Sequence, residues 1–150
     1  MRTDARHRLE ALLDAELGVV GQLSELLLAE RAALTGDAPE AVHELAARKV
    51  ALLARLEEFE TNRRHACSEA AIDLPPPAGS DPHDGPTARW HVLMELIARC
   101  RRDNEVNGYI INVRRHQLRE LLDLVRGGQP AVYGPQGRTA AKAQRALARA

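Results

Sequence analysis

Residues 90–125, WHVLMELIARCRRDNEVNGYIINVRRHQLRELLDLV, decide the fold. Trp90, Ile97, Asn104, Ile111, Leu118 and Val125 recur every seven residues, and Leu93, Cys100, Asn107, Arg114 and Leu121 form a second line between them. A heptad pattern of this kind keeps one stripe of a helix turned toward a partner helix, with slight supercoiling. A helix from Thr87 to Gly127 would be roughly 60 Å long at 1.5 Å per residue. Gly127, Gly128 and Pro130 stop it.

The 73–86 segment upstream (DLPPPAGSDPHDGP) holds five prolines and two glycines. No helix passes through Pro75-Pro76-Pro77, so the run reads as a mobile or extended linker outside the core. Before it, residues 38–72 carry Val42, Leu45, Leu52, Leu53, Leu56 and Phe59 on one helical face. Residues 4–34 repeat Leu13, Val20, Leu27 and Leu34 at seven-residue spacing, flanked by Leu9, Leu12, Leu23 and Leu26. Gly18 and Gly21 interrupt this helix, at a cost of roughly 1 kcal/mol each if exposed, and would allow a close helix contact or a small bend. The break at Thr35-Gly36-Asp37 is short, and Asp37-Ala38-Pro39-Glu40 has the form of a capping box with Pro in the first turn. Two long helices joined so briefly form an antiparallel hairpin.

The expected fold is therefore all-α: three long helices in an antiparallel coiled-coil-like bundle over residues 1–128, with a flexible C-terminal tail over 129–150. Composition agrees, with Leu and Ala dominant and aromatics only 3% of the chain. After the turn-rich stretch AVYGPQG, residues 138–150 could form a short helix with Ala140, Ala143, Leu147 and Ala150 on one side. Thirteen residues with one large apolar side chain do not hold a helix in water unaided, so the tail is expected to order only on a partner. Arg138, Lys142, Arg145 and Arg149 make it basic, and Tyr133 just before it suits an interaction anchor.

Charge is balanced, 21 basic against 21 acidic side chains, which argues against a dedicated nucleic-acid binder. Cys67 and Cys100 are too few for a disulfide scaffold, and they fit a reduced, cytoplasmic setting. No apolar run reaches the roughly eighteen residues of a membrane span, and MRTDARHRLEA lacks a signal-peptide core.

Chemistry-bearing patterns are sparse. His43-Glu44 begins like a zinc-binding HExxH, but position 47 is Ala; His65 and Cys67, two apart, point in different directions on a helix. No metal site, cofactor or catalytic role is expected. A histidine phosphotransfer domain would use His43, with Arg48 and Lys49 nearby, yet the small-residue and Gly pattern usual after such a His is missing. Asn104 and Asn107 fall where apolar residues belong. They read either as a polar pocket or, the better account, as buried amides that fix helix register at some cost in stability. Each must then meet the other, a backbone group or water.

The stretch from Trp90 resembles the FlgN family of flagellar export chaperones. The residues that carry the resemblance are Trp90-x-x-Leu93, Cys100-Arg101-Arg102-Asp103-Asn104-Glu105-Val106-Asn107-Gly108, then Arg115 and Gln117 through Leu122, and Tyr133-Gly134-Pro135-Gln136-Gly137-Arg138-Thr139. The first two helices resemble the family only as a Leu-rich hairpin, through Lys49-x-x-Leu52-Leu53-x-x-Leu56. The resemblance implies a cytoplasmic chaperone that holds the C-terminal helical segments of the hook–filament junction proteins FlgK and FlgL and delivers them to the type III export apparatus. It places cargo binding on the end of the third helix (Leu118, Leu121, Val125) and on the tail (Arg138, Lys142, Ala143, Leu147), with the region of Tyr133 contacting the export gate. The long proline-rich linker departs from the family pattern. A generic coiled-coil assembly protein remains the alternative, and the polar seam could pair within the chain or across a homodimer.

Overall fold

The structure, a computed structural model, describes residues 1–36 and 38–127. Three helices account for most of them: α1 (Arg2–Thr35), α2 (Pro39–Ala70) and α3 (Gly85–Val125). No strand occurs among the described residues, and none of their helices is long and apolar enough to cross a membrane. Tyr133, Arg138, Lys142, Ala143 and Leu147, with the rest of the expected tail, lie outside the described residues, as does the expected helix cap Asp37.

The chain divides into two compact units, 1–111 and 112–150. In the first, α1 and α2 form the expected antiparallel hairpin: Arg8 meets Glu69, Glu16 meets Arg63 and Glu30 meets Lys49. Helix α3 runs parallel to α1, since Asp14 meets Arg89, Val20 meets Cys100 and Leu27 meets Asn107. Consecutive helices thus alternate in direction.

The core centres on α1, where Leu9, Leu13, Val20, Leu23 and Leu27 are buried together with Leu93 and Cys100 of α3 and Ala66 and Ala70 of α2. Only Ala66 and Ala70 are buried on α2, whereas α1 buries eleven side chains. Gly18 and Gly21 make no close helix contact, because a Cβ at either position would meet nothing within 4 Å.

Helix ends differ from the pattern-based bounds by about two residues, for local reasons. α2 stops at Ala70, two residues before Ile72, because Ala71 turns left-handed (φ 53°). The Ile72 amide then closes on the Cys67 carbonyl at 3.1 Å, satisfying an end-of-helix acceptor. α3 begins at Gly85, not Thr87, since Pro86 is tolerated in a first turn and the Ala88 amide already donates to the Asp84 carbonyl at 2.8 Å. α2 starts behind Ala38, with Pro39 in its first turn and no side-chain cap.

The proline-rich segment is less detached from the core than expected. Leu74, with Ile72 just before it, packs against the core cluster. Turns close at Ser80 on Pro77 and at Asp84 on Asp81, and Arg6 of α1 binds the Asp84 carboxylate. The prolines exclude helix, but Leu74 near the start of the run, with Ile72 before it, still packs against the core.

Candidate partner-binding site

Two polar clasps fix the three helices of the first unit before any surface is left over. Leu9, Leu13, Glu16, Val20, Leu23, Leu27, Glu30 and Leu34 follow one another at three- and four-residue steps along α1, and all are buried. Glu16 and Glu30 therefore occupy core positions, at 3% and 2% exposure.

Each carboxylate is met from α2. Arg63 Nε donates to Glu16 Oε2 at 3.0 Å, and its guanidinium lies 4.8 Å from the centre of the Trp90 ring. Burial pushes the Glu16 carboxyl above its ordinary pKa, against the opposing pull of Arg63. Lys49 Nζ donates to Glu30 Oε1 at 2.7 Å, while Asn107 Nδ2 donates to Glu30 Oε2 at 2.7 Å and to the Leu27 carbonyl at 2.9 Å. Arg31 completes the second clasp, its Nε donating to Asn107 Oδ1 at 3.1 Å and its Nη2 to Asp103 Oδ1 at 2.8 Å. Every buried side-chain polar atom among the described residues has a partner.

The two asparagines part company here. Asn107 is buried, and its amide makes three hydrogen bonds, to Arg31, Glu30 and the Leu27 carbonyl. Asn104, read from its heptad place as buried, is exposed and accepts only from Lys49 Nζ, at 3.3 Å. It lies in line with Trp90 and Ile97, which are themselves only half-buried, so that edge of the seam borders a groove. The two amides do not bond each other.

The second unit supplies the surface. From residue 112 to 127 every side chain is exposed, although α3 continues to Val125. Leu118, Leu121 and Val125 are 58%, 59% and 84% exposed. Leu122, at 43%, joins them to complete an i, i+3, i+4, i+7 stripe, and Leu124 is exposed beside it. Leu122 and Leu124 were missed because the seven-residue lines pass over them; the i+4 neighbour of Leu118 was the available signal. His116 and Glu120 pair at 3.4 Å along the same stretch.

The other candidate chemistry is not assembled. His43 is exposed near the start of α2, and no group of metal-binding side chains occurs among the described residues. Burial raises the pKa of both thiols, Cys67 and Cys100, above the ordinary range, the opposite of an activated nucleophile. What the described residues offer is an apolar helical stripe.

No curated protein and no solved structure matches the chain. The profile of one family, described as FlgN protein, matches residues 1–141. The match takes in the α1–α2 hairpin, the Asn107 clasp and the exposed end of α3 together, so the chain belongs to the FlgN family of flagellar export chaperones, which bind flagellar export substrates.

Proposed function

We propose that this chain is a cytoplasmic chaperone for the hook–filament junction proteins FlgK and FlgL. It binds their C-terminal helical segments, prevents premature assembly and delivers them to the type III export apparatus, without catalysis. The observation that carries this reading is the stripe Leu118, Leu121, Leu122 and Val125 on a stretch of α3 with no buried residue. Contiguous exposed apolar side chains at helical spacing mark a helix-binding surface. They also suit a cargo that would otherwise self-assemble through its own helices.

Residues 129–150 act with this stripe as the partner-binding tail, and residues 1–128 as the bundle that presents it. Tyr133 serves as an anchor, Ala143 and Leu147 add a small apolar side, and Arg138 and Lys142 set orientation against acids on the cargo more than they add affinity. A segment that orders on binding gives up part of its interaction energy to ordering, which suits a chaperone that must release its cargo.

The test is calorimetric titration of the full chain with the C-terminal helical segments of FlgK and FlgL, against Leu118→Arg/Leu121→Arg. Burying an exposed Leu is worth about 1–2 kcal/mol at this degree of exposure, so the double variant should lose at least about tenfold in affinity. Its melting temperature should not move, since neither side chain packs in the bundle. Wild-type affinity in the variant, or no binding by the wild type, overturns the proposal.

A further inference from the structure

Within the 1–111 unit an elongated groove opens between α2 and α3, with a volume of about 590 Å³. Leu23 and Leu27 of α1 form its floor, Leu53 and Leu56 of α2 one wall, and Met94 and Ile97 of α3 the other. It exists because α2 is under-packed. Along the groove Leu56 is only half-buried, and Leu53 remains 46% exposed. An amphipathic helix with so little of its apolar face buried lacks a neighbour.

The rim narrows what that neighbour is. Glu16–Arg63 and Glu30–Lys49 consume the charges at the two ends of the groove. On the long edges Glu57 and Glu60 stand on α2 and Arg101 on α3, all exposed. Glu60 pairs only with Arg64 of its own helix, and neither Glu57 nor Arg101 has an ion-pair partner among the described residues. The lining residues run from Lys49 to Arg63 on α2, about 21 Å at 1.5 Å per residue, and from Met94 to Asn104 on α3, about 15 Å.

We infer that this groove receives a second amphipathic helix of the export cargo, three to four turns long, with basic residues facing α2 and an acidic residue facing α3. The inference rests on the cargo-binding function proposed above and adds a second hold, distinct from the stripe at Leu118 and Leu121. Packed between α2 and α3, such a helix covers Leu53 and Leu56 and turns the three-helix unit into a four-helix one.

The experiment uses the full chain and the C-terminal helical segment of FlgK, titrated by calorimetry, with Leu53→Arg and Glu57→Lys/Glu60→Lys as variants. Trp90, the sole tryptophan, reports folding by fluorescence alongside helicity and melting temperature. The expected result is wild-type folding in both variants and cargo affinity reduced about tenfold or more. Should Leu53→Arg fail to fold, the charge-reversal variant, confined to exposed positions, decides. Unchanged affinity in the folded variants overturns the groove inference while leaving the Leu118/Leu121 site standing. No binding by the wild type overturns both. A wild-type dimer in sedimentation that Leu53→Arg abolishes would show that a second copy fills the groove, which also overturns the inference.

Discussion

Replacing Asn107 by Leu keeps the branched shape of the side chain but strips three hydrogen bonds from a site 1% exposed. Two of them involve charged partners, Glu30 and Arg31, and the third the Leu27 carbonyl. Hydrogen bonds to charged groups contribute about 1.5–3 kcal/mol and neutral ones about 0.5–1.5 kcal/mol. Glu30 keeps Lys49 as a partner, which holds the loss toward the low end, and the new Leu recovers some apolar burial. A net destabilisation of about 3 kcal/mol follows, a large share of the roughly 5–15 kcal/mol that holds a domain together. For a chain of this length it corresponds to a fall in melting temperature of about 6–12 °C. Asn104→Leu is the internal control: that side chain is exposed and holds a single 3.3 Å contact, so its change should stay within about 0.5 kcal/mol. Thermal unfolding of both full-length variants, followed by circular dichroism at 222 nm, separates them. A melting temperature for Asn107→Leu within about 2 °C of wild type would refute the account of the second clasp.

Two other perturbations follow from local geometry. Ala71 holds φ 53°, a left-handed conformation that costs a non-glycine residue about 1–2 kcal/mol, so Ala71→Gly should raise stability by about 1 kcal/mol in urea titration. A loss of stability would show that the end of α2 is built otherwise. The Glu16 carboxyl has its pKa raised on folding, first by burial and only partly offset by Arg63. The folded chain therefore binds that proton more tightly than the unfolded one. Its contribution is full below the unfolded carboxylate range and is lost as pH rises through the folded value. Glu16→Gln, which keeps an acceptor for Arg63, should flatten this part of the stability–pH curve from about pH 4 upward. A curve parallel to wild type would refute the assignment.

Most of the architecture was legible because it depends on periodicity. The seven-residue lines in α1 and α3, Gly36 and Pro39 at the hairpin turn, and the triple proline each act locally, and the helices fall within about two residues of where those signals place them. The site was half legible. Leu118, Leu121 and Val125 could be named from spacing, but that nothing buries them depends on where partners are absent, which no local pattern records. Asn104 and Asn107 look alike in sequence, and only the stand-off of α2 from α3 exposes one and buries the other. Glu16 and Glu30 were passed over although they sit on the unbroken three- and four-residue rhythm of α1. A buried carboxylate is expected only once its base is identified, and Arg63 and Lys49 become those bases only when the register of the hairpin is known.

That register is what the clasps decide. A Leu-rich stripe is nearly self-similar under a seven-residue slide, so α1 and α2 could exchange one set of leucine contacts for another at little cost. The carboxylates remove that freedom. Slid by one heptad in one direction, Glu16 would face Leu56 and Glu30 would face Val42; in the other, they would face Ala70 and Leu56. Either slip leaves two acids buried without a base, and breaking a buried pair costs about 3–5 kcal/mol each. The correct register needs Arg63 and Lys49 drawn inward, at 12% and 21% side-chain exposure, and their long side chains take up room between α2 and the rest of the bundle. The same two bases that forbid the slip line the groove between α2 and α3. Specificity of pairing and an unfilled apolar surface thus have one structural cause, and a chaperone can use both: a hairpin that does not slide, and leucines left over for another protein's helix.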